Sequence, residues 1–120
     1  MIQCMEWDCI FCKIVQGSIP ADLVYSDENC VAFRDIHPQA PVHILVVTKR
    51  HFRDLPALCE HGDEGLPGQL LRAANHVARA AGLHEQGFRL VINIGSHGGQ
   101  SVPHLHAHVL GQRPLGWPPG

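Results

Sequence analysis

Three histidines at every second position form the stretch of this sequence with the clearest capacity for chemistry. They are His104, His106 and His108, and apolar residues fill the positions between and after them. Since side chains alternate between the two faces of a β-strand, this period predicts a strand over residues 104–110 with all three imidazoles on one face. Their Cα atoms would lie about 6.6 Å apart, where like charges repel. We therefore expect lowered pKa values and at least one neutral, nucleophilic ring near pH 7.

A small polar loop precedes the histidines and offers groups that suit an anion. The backbone N–H groups of Gly98, Gly99, Gln100 and Ser101 predict a phosphate cradle, and the Ser101 hydroxyl can donate to a leaving group. The side-chain amides of Gln100 and Asn93 suit phosphate or ribose oxygens. Ser101 and Asn93 can also serve only as turn residues. A metal site made of all three histidines is a further alternative, although no acidic residue lies near them in sequence.

Length and composition limit the class of protein. The chain has 120 residues, which predicts a single domain with one core. A net charge of −2 excludes a broad nucleic-acid-binding face, while ten histidines indicate chemistry or metal binding. An acidic N-terminus and the lack of a membrane-length apolar run favour a soluble, cytoplasmic protein without a signal peptide. The odd number of cysteines fits reduced thiols at Cys4, Cys9, Cys12, Cys30 and Cys59.

The remaining pattern predicts an α+β fold with an antiparallel sheet of about five strands, one long helix and a short N-terminal helix. The short helix begins after Asp8 as its N-cap. The long helix covers residues 66–81, where apolar side chains recur at helical spacing, and Gly82 follows its end. A helical turn is expected at residues 54–59. The predicted strands cover residues 23–26, 30–33, 43–47, 89–94 and 104–110.

These residues resemble the histidine triad (HIT) family of nucleotide-binding enzymes, whose signature is His-x-His-x-His followed by apolar residues. The Hint-type branch, the purine nucleoside phosphoramidases, is the most similar. It matches residues 33–43, Asn93, residues 98–101 and residues 111–120, in family order and at family spacing. The resemblance covers the chain from Asp8 onward. It implies the HIT-like fold over residues 1–120, as a homodimer. The net charge and the lack of a membrane-length apolar run predict no nucleic-acid or membrane partner.

The activity that the resemblance implies is hydrolysis of purine nucleoside phosphoramidates, with AMP joined to an amine or to lysine through a P–N bond. Two other functions stay open: hydrolysis of dinucleoside polyphosphates, and nucleotide binding in a regulatory or scaffold protein whose catalysis is incidental. A nucleotidyltransferase is disfavoured, because that branch replaces the third histidine and His108 is intact. Pro103 departs from the branch, which often has an aromatic residue there.

The resemblance also implies roles for individual residues. His106 matches the nucleophile that forms a nucleotidyl-histidine intermediate, and His108 matches the residue that holds the phosphate charge. Ser101 matches the serine that assists the leaving group. His43 matches a histidine of a proton relay near the nucleophile, and Asp35 matches the residue that binds the ribose. The remaining nucleotide contacts are implied at Phe11, Ile19, Phe33, Ile36, Asn93, Gly99 and Gln100.

Cys9 and Cys12 form a C-x-x-C pair that suits either redox chemistry or half of a zinc site. A thioredoxin-like redox pair should follow a strand, and none is predicted before Cys9. Some HIT relatives bind structural Zn²⁺ through two such cysteines, a histidine after the third strand and the first histidine of the triad. Cys9, Cys12, His51 and His104 match those positions. Cysteines packed as small apolar residues are the alternative, and His97 has no assigned role.

Overall fold

The protein forms one antiparallel sheet covered on both faces. The computed structural model describes residues 8–120, so the expectations of a missing signal peptide and of a reduced Cys4 lie outside the described residues. The strand order is β1-β2-β3-β5-β4, which confirms the predicted α+β fold. Within the described residues, no helix combines the length and the apolarity needed to span a bilayer. The strands are β1 (Leu23–Ser26), β2 (Cys30–Arg34), β3 (Val42–Thr48), β4 (Phe88–Val91) and β5 (His106–Gly111).

The helices are α1 (Ile10–Gln16), α2 (Leu55–His61), α3 (Leu66–Ala80) and α4 (Gly95–Gly98). The prediction of Asp8 as the N-cap of α1 is wrong by one residue. Cys9 has the extended backbone of a cap, and its Sγ accepts a hydrogen bond from the Cys12 N–H at 3.3 Å. A thiol therefore takes the place of the carboxylate that the sequence favoured. The short helix α4 was not predicted.

The central strand β3 separates two packed layers. All seven of its residues are buried, and their side chains alternate between the layers. Ile44 and Val46 join the core under α3, whereas Leu45 and Val47 join a smaller cluster under α1. The apolar stripe predicted for α3 is confirmed, since its buried residues are Leu66, Leu70, Ala73, Ala74, Val77 and Ala78. The α3 face of the sheet is thus pure core, and the α1 face is where polar side chains collect.

Strand β5 begins at His106, so the prediction that it starts at His104 is wrong. Pro103 lacks an N–H, and the His104 N–H donates locally to the Val102 carbonyl at 2.8 Å. Ladder pairing therefore starts where His106 lies opposite Val47. His104 therefore lies before the strand and is fully buried, while His106 and His108 lie within the strand on the α1 face.

Strand β4 is also shorter than predicted. It ends at Val91, and the chain turns from there into α4, with Gly95 at φ +68°. Asn93 consequently lies beyond the strand end, on the path into the polar loop.

Candidate active site

A row of side chains crosses the sheet at His108. The register pairs Phe33 with Leu45, Leu45 with His108, and His108 with Val91. Adjacent strands lie about 4.8 Å apart, so these side chains are direct neighbours on one face. A cavity of about 550 Å³ lies on the Phe33 side of the row, and we call it the α1 cavity. A cavity of about 690 Å³ lies on the Val91 side, and we call it the β4 cavity.

Most of the predicted nucleotide contacts converge on the α1 cavity. Its lining includes the predicted residues Phe11, Ile19, Phe33, Asp35, Ile36, Ser101, His106 and His108. The structure brings His43 and Asn93 to the β4 cavity instead. Neither Gly99 nor Gln100 lines either cavity.

Several wall residues of the α1 cavity were missed from the sequence, among them Ile10 and Ile14. Ile10 and Ile14 lie one helical turn apart on α1 and both face the cavity, so their i, i+4 spacing was the available signal. Ile10 is 46% exposed and Ile36 is 84% exposed. Large apolar side chains left open around a concave site suit a flat apolar ligand such as a purine base.

His106 is held with its lone pair on Nε2. Its Nδ1–H donates to the backbone carbonyl of His104 at 2.8 Å, and a carbonyl can only accept. The ring is 4% exposed, and burial lowers its pKa below the ordinary value for histidine. The edge of the Phe11 ring packs 5.1 Å from it, centroid to centroid. At neutral pH, His106 therefore presents an uncharged Nε2 that can attack an electrophile.

His43 and His108 form a chain of hydrogen bonds whose direction is fixed by the backbone. The Gln39 N–H donates to His43 Nδ1 at 3.0 Å, so the proton of His43 must be on Nε2. That Nε2–H donates to His108 Nδ1 at 2.9 Å. The proton of His108 is consequently on Nε2. Burial lowers the pKa of both rings, and that of His108 falls to about 4.

The His108 Nε2–H is buried and has no hydrogen-bond acceptor among residues 8–120. Leaving a buried donor unsatisfied costs about 1–3 kcal/mol. His108 lines both the α1 cavity and the β4 cavity. A phosphate oxygen at the junction of the two would satisfy this donor, so the arrangement favours binding of an oxyanion there.

Asp35 is anchored at the mouth of the α1 cavity. Its Oδ1 accepts from the His37 N–H at 2.8 Å, and its Oδ2 lies 3.4 Å from His43 Nε2. His37, like Asp35, lines the cavity. The fixed carboxylate retains lone pairs that can accept from the hydroxyls of a sugar.

The Gln100 side chain ties the polar loop together. Its Oε1 accepts from the Gly95 N–H at 3.0 Å, and its Nε2 donates to the carbonyls of Arg53 and Val102 at 2.8 and 3.0 Å. The N–H groups of Gly99 and Gln100 donate to carbonyls of α4. The expected cradle is therefore wrong for these two N–H groups, because the loop closes as a helical turn that uses them. Nucleotide contacts from Gly99 and Gln100 stay a prediction.

A second polar cluster lies at the N-cap of α1. The ligand atoms of Cys9, Cys12, His51 and His104 lie within 4.8 Å of one another, so the four side chains can hold a metal ion. Cys12 Sγ lies 3.2 Å from His51 Nδ1, and Cys9 Sγ lies 3.3 Å from His104 Nδ1. The two Nδ1 atoms are 3.1 Å apart. Ligand atoms around a tetrahedral Zn²⁺ lie roughly 3.3–3.7 Å apart, so the arrangement fits that ion with small adjustments.

His104 is oriented as a metal ligand would be. Its Nε2–H donates to the Thr48 carbonyl at 2.9 Å, so the Nδ1 lone pair points into the cluster. Burial lowers its pKa to about 4, which keeps the ring neutral. The same residue thus serves the cluster with its side chain and His106 with its backbone carbonyl.

The cysteines are not all reduced in this structure. Cys9, Cys30 and Cys59 are free thiols, but Cys12 is disulfide-bonded. The expectation of reduced thiols is therefore wrong for Cys12, because a count of cysteines cannot reveal which sulfur atoms lie at bonding distance. Metal binding needs a thiolate, so it requires reduction of that bond.

Asp35, His43 and His108 also place ligand atoms within 4.8 Å of one another. The hydrogen bonds argue against a metal there. His43 Nε2 carries a proton as long as Nδ1 accepts from the Gln39 N–H, and a protonated nitrogen cannot be a ligand. His43 and His108 are thus joined by a hydrogen bond, with the Asp35 carboxylate close to His43. His97, on the exposed surface of α4, gains no role from the structure.

Comparison with known proteins gives a consistent result. The HIT domain family model matches residues 16–115. An uncharacterized HIT-like protein of Synechococcus elongatus is 53% identical over 117 residues, which is 97% of this chain and all of the relative. A similar protein of Synechocystis sp. is 50% identical over 116 residues, again 97% of this chain and all of the relative.

Solved structures agree with these relatives. A HIT family hydrolase from Legionella pneumophila superposes with a TM-score of 0.89 at 49% identity, covering 94% of this chain and 100% of that one. A histidine triad protein from Clostridium difficile superposes with a TM-score of 0.88 at 41% identity, covering 93% and 96%. These similarities establish that the chain belongs to the HIT domain family.

Proposed function

We propose that this protein is a nucleotide-binding hydrolase that cleaves purine nucleoside phosphoramidates through a covalent nucleotidyl-histidine. The observation that carries the proposal is the fixed tautomer of His106, whose neutral Nε2 lies at the α1 cavity beside the unmet Nε2–H of His108. The Legionella relative is described as a hydrolase, which supports this class of reaction. A cytoplasmic location is part of the proposal.

The first step is attack on phosphorus. The His106 Nε2 lone pair forms a bond to the phosphorus, and the P–N bond to the amine breaks with its electron pair going to the departing nitrogen, which takes up a proton and leaves as the amine. The positive charge that develops on the His106 ring is stabilised by the His104 carbonyl, which already accepts from Nδ1–H. The His108 Nε2–H holds a phosphate oxygen. In the second step, water attacks phosphorus, releases the nucleotide and restores neutral His106.

The nucleoside end of the substrate is assigned to the α1 cavity. Ile10, Phe11 and Ile36 supply apolar surface for a purine, and Asp35 accepts from the ribose hydroxyls. His43 acts one step away, because it fixes the proton of His108 through their hydrogen bond.

We assign Zn²⁺ to the cluster of Cys9, Cys12, His51 and His104. Two sulfur and two nitrogen ligands in a tetrahedral arrangement are typical of structural zinc. The ion would supply no step of the reaction. It would hold α1 against the His104 segment, and so hold the carbonyl that fixes the His106 tautomer.

Turnover of two substrate types, measured side by side, tests the proposed activity. AMP joined to a simple alkyl amine should be hydrolysed with a higher kcat/KM than a diadenosine polyphosphate. The reverse order would favour the dinucleoside polyphosphate hydrolases. Nucleotide binding without turnover of either substrate would favour a regulatory or scaffold protein.

Ser101 provides a prediction that depends on the leaving group. An amine departs poorly unless it receives a proton, whereas p-nitrophenolate is stable as an anion. The exposed Ser101 lines the α1 cavity, so its hydroxyl can donate to the departing nitrogen. Ser101→Ala should slow phosphoramidate hydrolysis roughly 10²-fold, the cost of one transition-state hydrogen bond. The p-nitrophenyl ester of AMP should be affected much less. An equal loss of kcat/KM on both substrates would contradict the leaving-group role.

We also propose a homodimer formed through β4 and α3. Strand β4 is at the edge of the sheet. Leu90 on β4 and Ile94 just after it are 38% and 40% exposed, and Leu71 on α3 is 49% exposed. Pairing two edges would cover this surface. The wild type should have a dimeric mass at micromolar concentration, and Leu90→Glu should make it monomeric. Leu23→Glu, at the opposite edge on β1, is the matched control and should stay dimeric. A monomeric wild type would disprove the interface.

A further inference from the structure

The β4 cavity continues the active site on the side away from the nucleoside. His108 lines both cavities, with Leu45 beside it on β3 and Val91 beside it on β4. A phosphate bound at His108, with its nucleoside in the α1 cavity, therefore has the β4 cavity on its other side. A departing group that is larger than ammonia needs space, and this cavity of about 690 Å³ provides it.

The two cavities differ in charge. Asp22 and Asp35 line the α1 cavity, whereas no Asp or Glu residue of the described range 8–120 lines the β4 cavity. Arg89 and Arg113 line the β4 cavity, and neither forms an ion pair with a carboxylate among residues 8–120. Guanidinium groups gain most from carboxylate or phosphate partners, and neither arginine has a carboxylate partner in the part of the chain that the structure describes.

Both arginines are held in place by hydrogen bonds that leave donors free. Arg89 Nη2 donates to the Gly116 carbonyl at 2.7 Å, and Arg113 Nε donates to the Gln39 carbonyl at 2.9 Å. Arg113 Nη1 also donates to the Pro114 carbonyl at 3.1 Å. A guanidinium has five N–H donors, so each retains donors for a ligand. Hydrogen bonds to backbone carbonyls fix the position of the guanidinium group without neutralising its charge.

The register places Arg89 close to the reacting centre. Arg89 is paired with Leu110, which is two residues after His108 on the same face of β5. The Cα atoms of Arg89 and His108 are therefore one strand and two residues apart, about 8 Å. The long arginine side chain covers that distance.

We infer that the β4 cavity binds a negatively charged leaving group, and that Arg89 and Arg113 select amines that carry a carboxylate or a phosphate. This inference rests on the proposed phosphoramidase activity and specifies its substrate class. The reacting bond is unchanged: the amine leaves from phosphorus with the electron pair of the P–N bond and takes a proton, while its distant anionic group stays on the arginines.

Three AMP phosphoramidates test the inference. Their amines are n-propylamine, which is neutral beyond the nitrogen, β-alanine, which carries a carboxylate, and phosphoethanolamine, which carries a phosphate. The wild type should cleave at least one anionic substrate with a kcat/KM roughly tenfold above that of the propyl compound, as expected for a charge-assisted hydrogen bond. The preference should shrink as ionic strength rises. The two anionic substrates distinguish carboxylate from phosphate.

Substitutions separate charge recognition from a structural role. Arg89→Gln or Arg113→Gln should lower kcat/KM for the anionic substrates much more than for the propyl substrate, and so reduce the preference to near unity. Arg89→Lys should retain part of the preference. Arg72→Gln, on α3 across the sheet, makes the same change in net charge and should have no effect.

Four outcomes would overturn the inference. A wild-type preference for the anionic substrates below twofold means that the arginines do not recognise the charge of the amine. A preference that persists in both glutamine variants means that other groups recognise the charge of the amine. An equal loss on all three substrates means that the arginines only support the chain around Gly116 and Gln39. Failure to cleave even the propyl compound would overturn the proposed activity and the inference together, whereas cleavage of it without charge preference overturns the inference alone.

Discussion

His106→Ala lowers phosphoramidate turnover by roughly a thousandfold or more, if His106 forms the covalent intermediate. The loss is larger than the usual effect of removing a general acid or base, because the substitution removes the attacking lone pair itself. AMP should still bind with near-normal affinity, because Phe11, Asp35 and Ile36 form the walls of the α1 cavity. Steady-state kinetics and calorimetric AMP binding are the two measurements.

A nearby histidine provides the matched control for that substitution. His97→Ala removes an exposed imidazole from α4 and should change neither turnover nor affinity. If His106→Ala retained more than a tenth of wild-type turnover, the nucleophile would have to be another group. If AMP affinity fell as far as turnover, His106 would be a binding residue.

The second large effect concerns the metal cluster. Protein purified under reducing conditions without chelator should contain about one Zn²⁺ per chain. Cys9→Ser should abolish that content. A ligand present at 1,000 times its Kd stabilises the fold by about 4 kcal/mol. At roughly 4 °C per kcal/mol for a domain of this size, the Tm should fall by roughly 15 °C.

Cys59→Ser is the control for the cluster, because Cys59 is an exposed free thiol on α2. It should leave metal content and Tm unchanged. Reduction matters in this experiment, since Cys12 is disulfide-bonded in the structure. Wild-type protein that is metal-free after reduction, with the same Tm in chelator, would rule out the zinc site. Cys9 would then be a packing residue at the helix cap.

Regular periodicity made much of this fold predictable. The apolar stripe of α3 and the alternation along β3 and β5 depend only on which face is buried, and the sequence carries that pattern directly. His106 and His108 share a face as predicted. The errors fall where a local signal competes with a backbone bond. Asp8 is the better residue for a cap, yet Cys9 takes the position, and His104 has strand periodicity, yet bonds made near Pro103 delay the strand.

The fine chemistry of the site was not predictable from residue types. Whether His108 offers a proton or a lone pair depends on a single backbone N–H, that of Gln39, which acts through His43. Gln100 looked like a phosphate ligand because its amide is polar, but backbone groups of the same loop and of the distant Arg53 already occupy that amide. Contacts between residues far apart in the chain decide such questions, and a one-dimensional pattern does not contain them.

The backbone carbonyl and the side chain of His104 have different roles. The proposed reaction needs only a carbonyl at this position, to accept from His106 Nδ1–H, and every amino acid has one. The imidazole of His104 instead faces Cys9 and Cys12. The three alternating histidines are thus not one chemical unit: His104 has a separate task, and His106 and His108 are the two rings assigned to the proposed reaction. A protein built on this plan without the cysteines would be free to replace the first histidine and keep its activity.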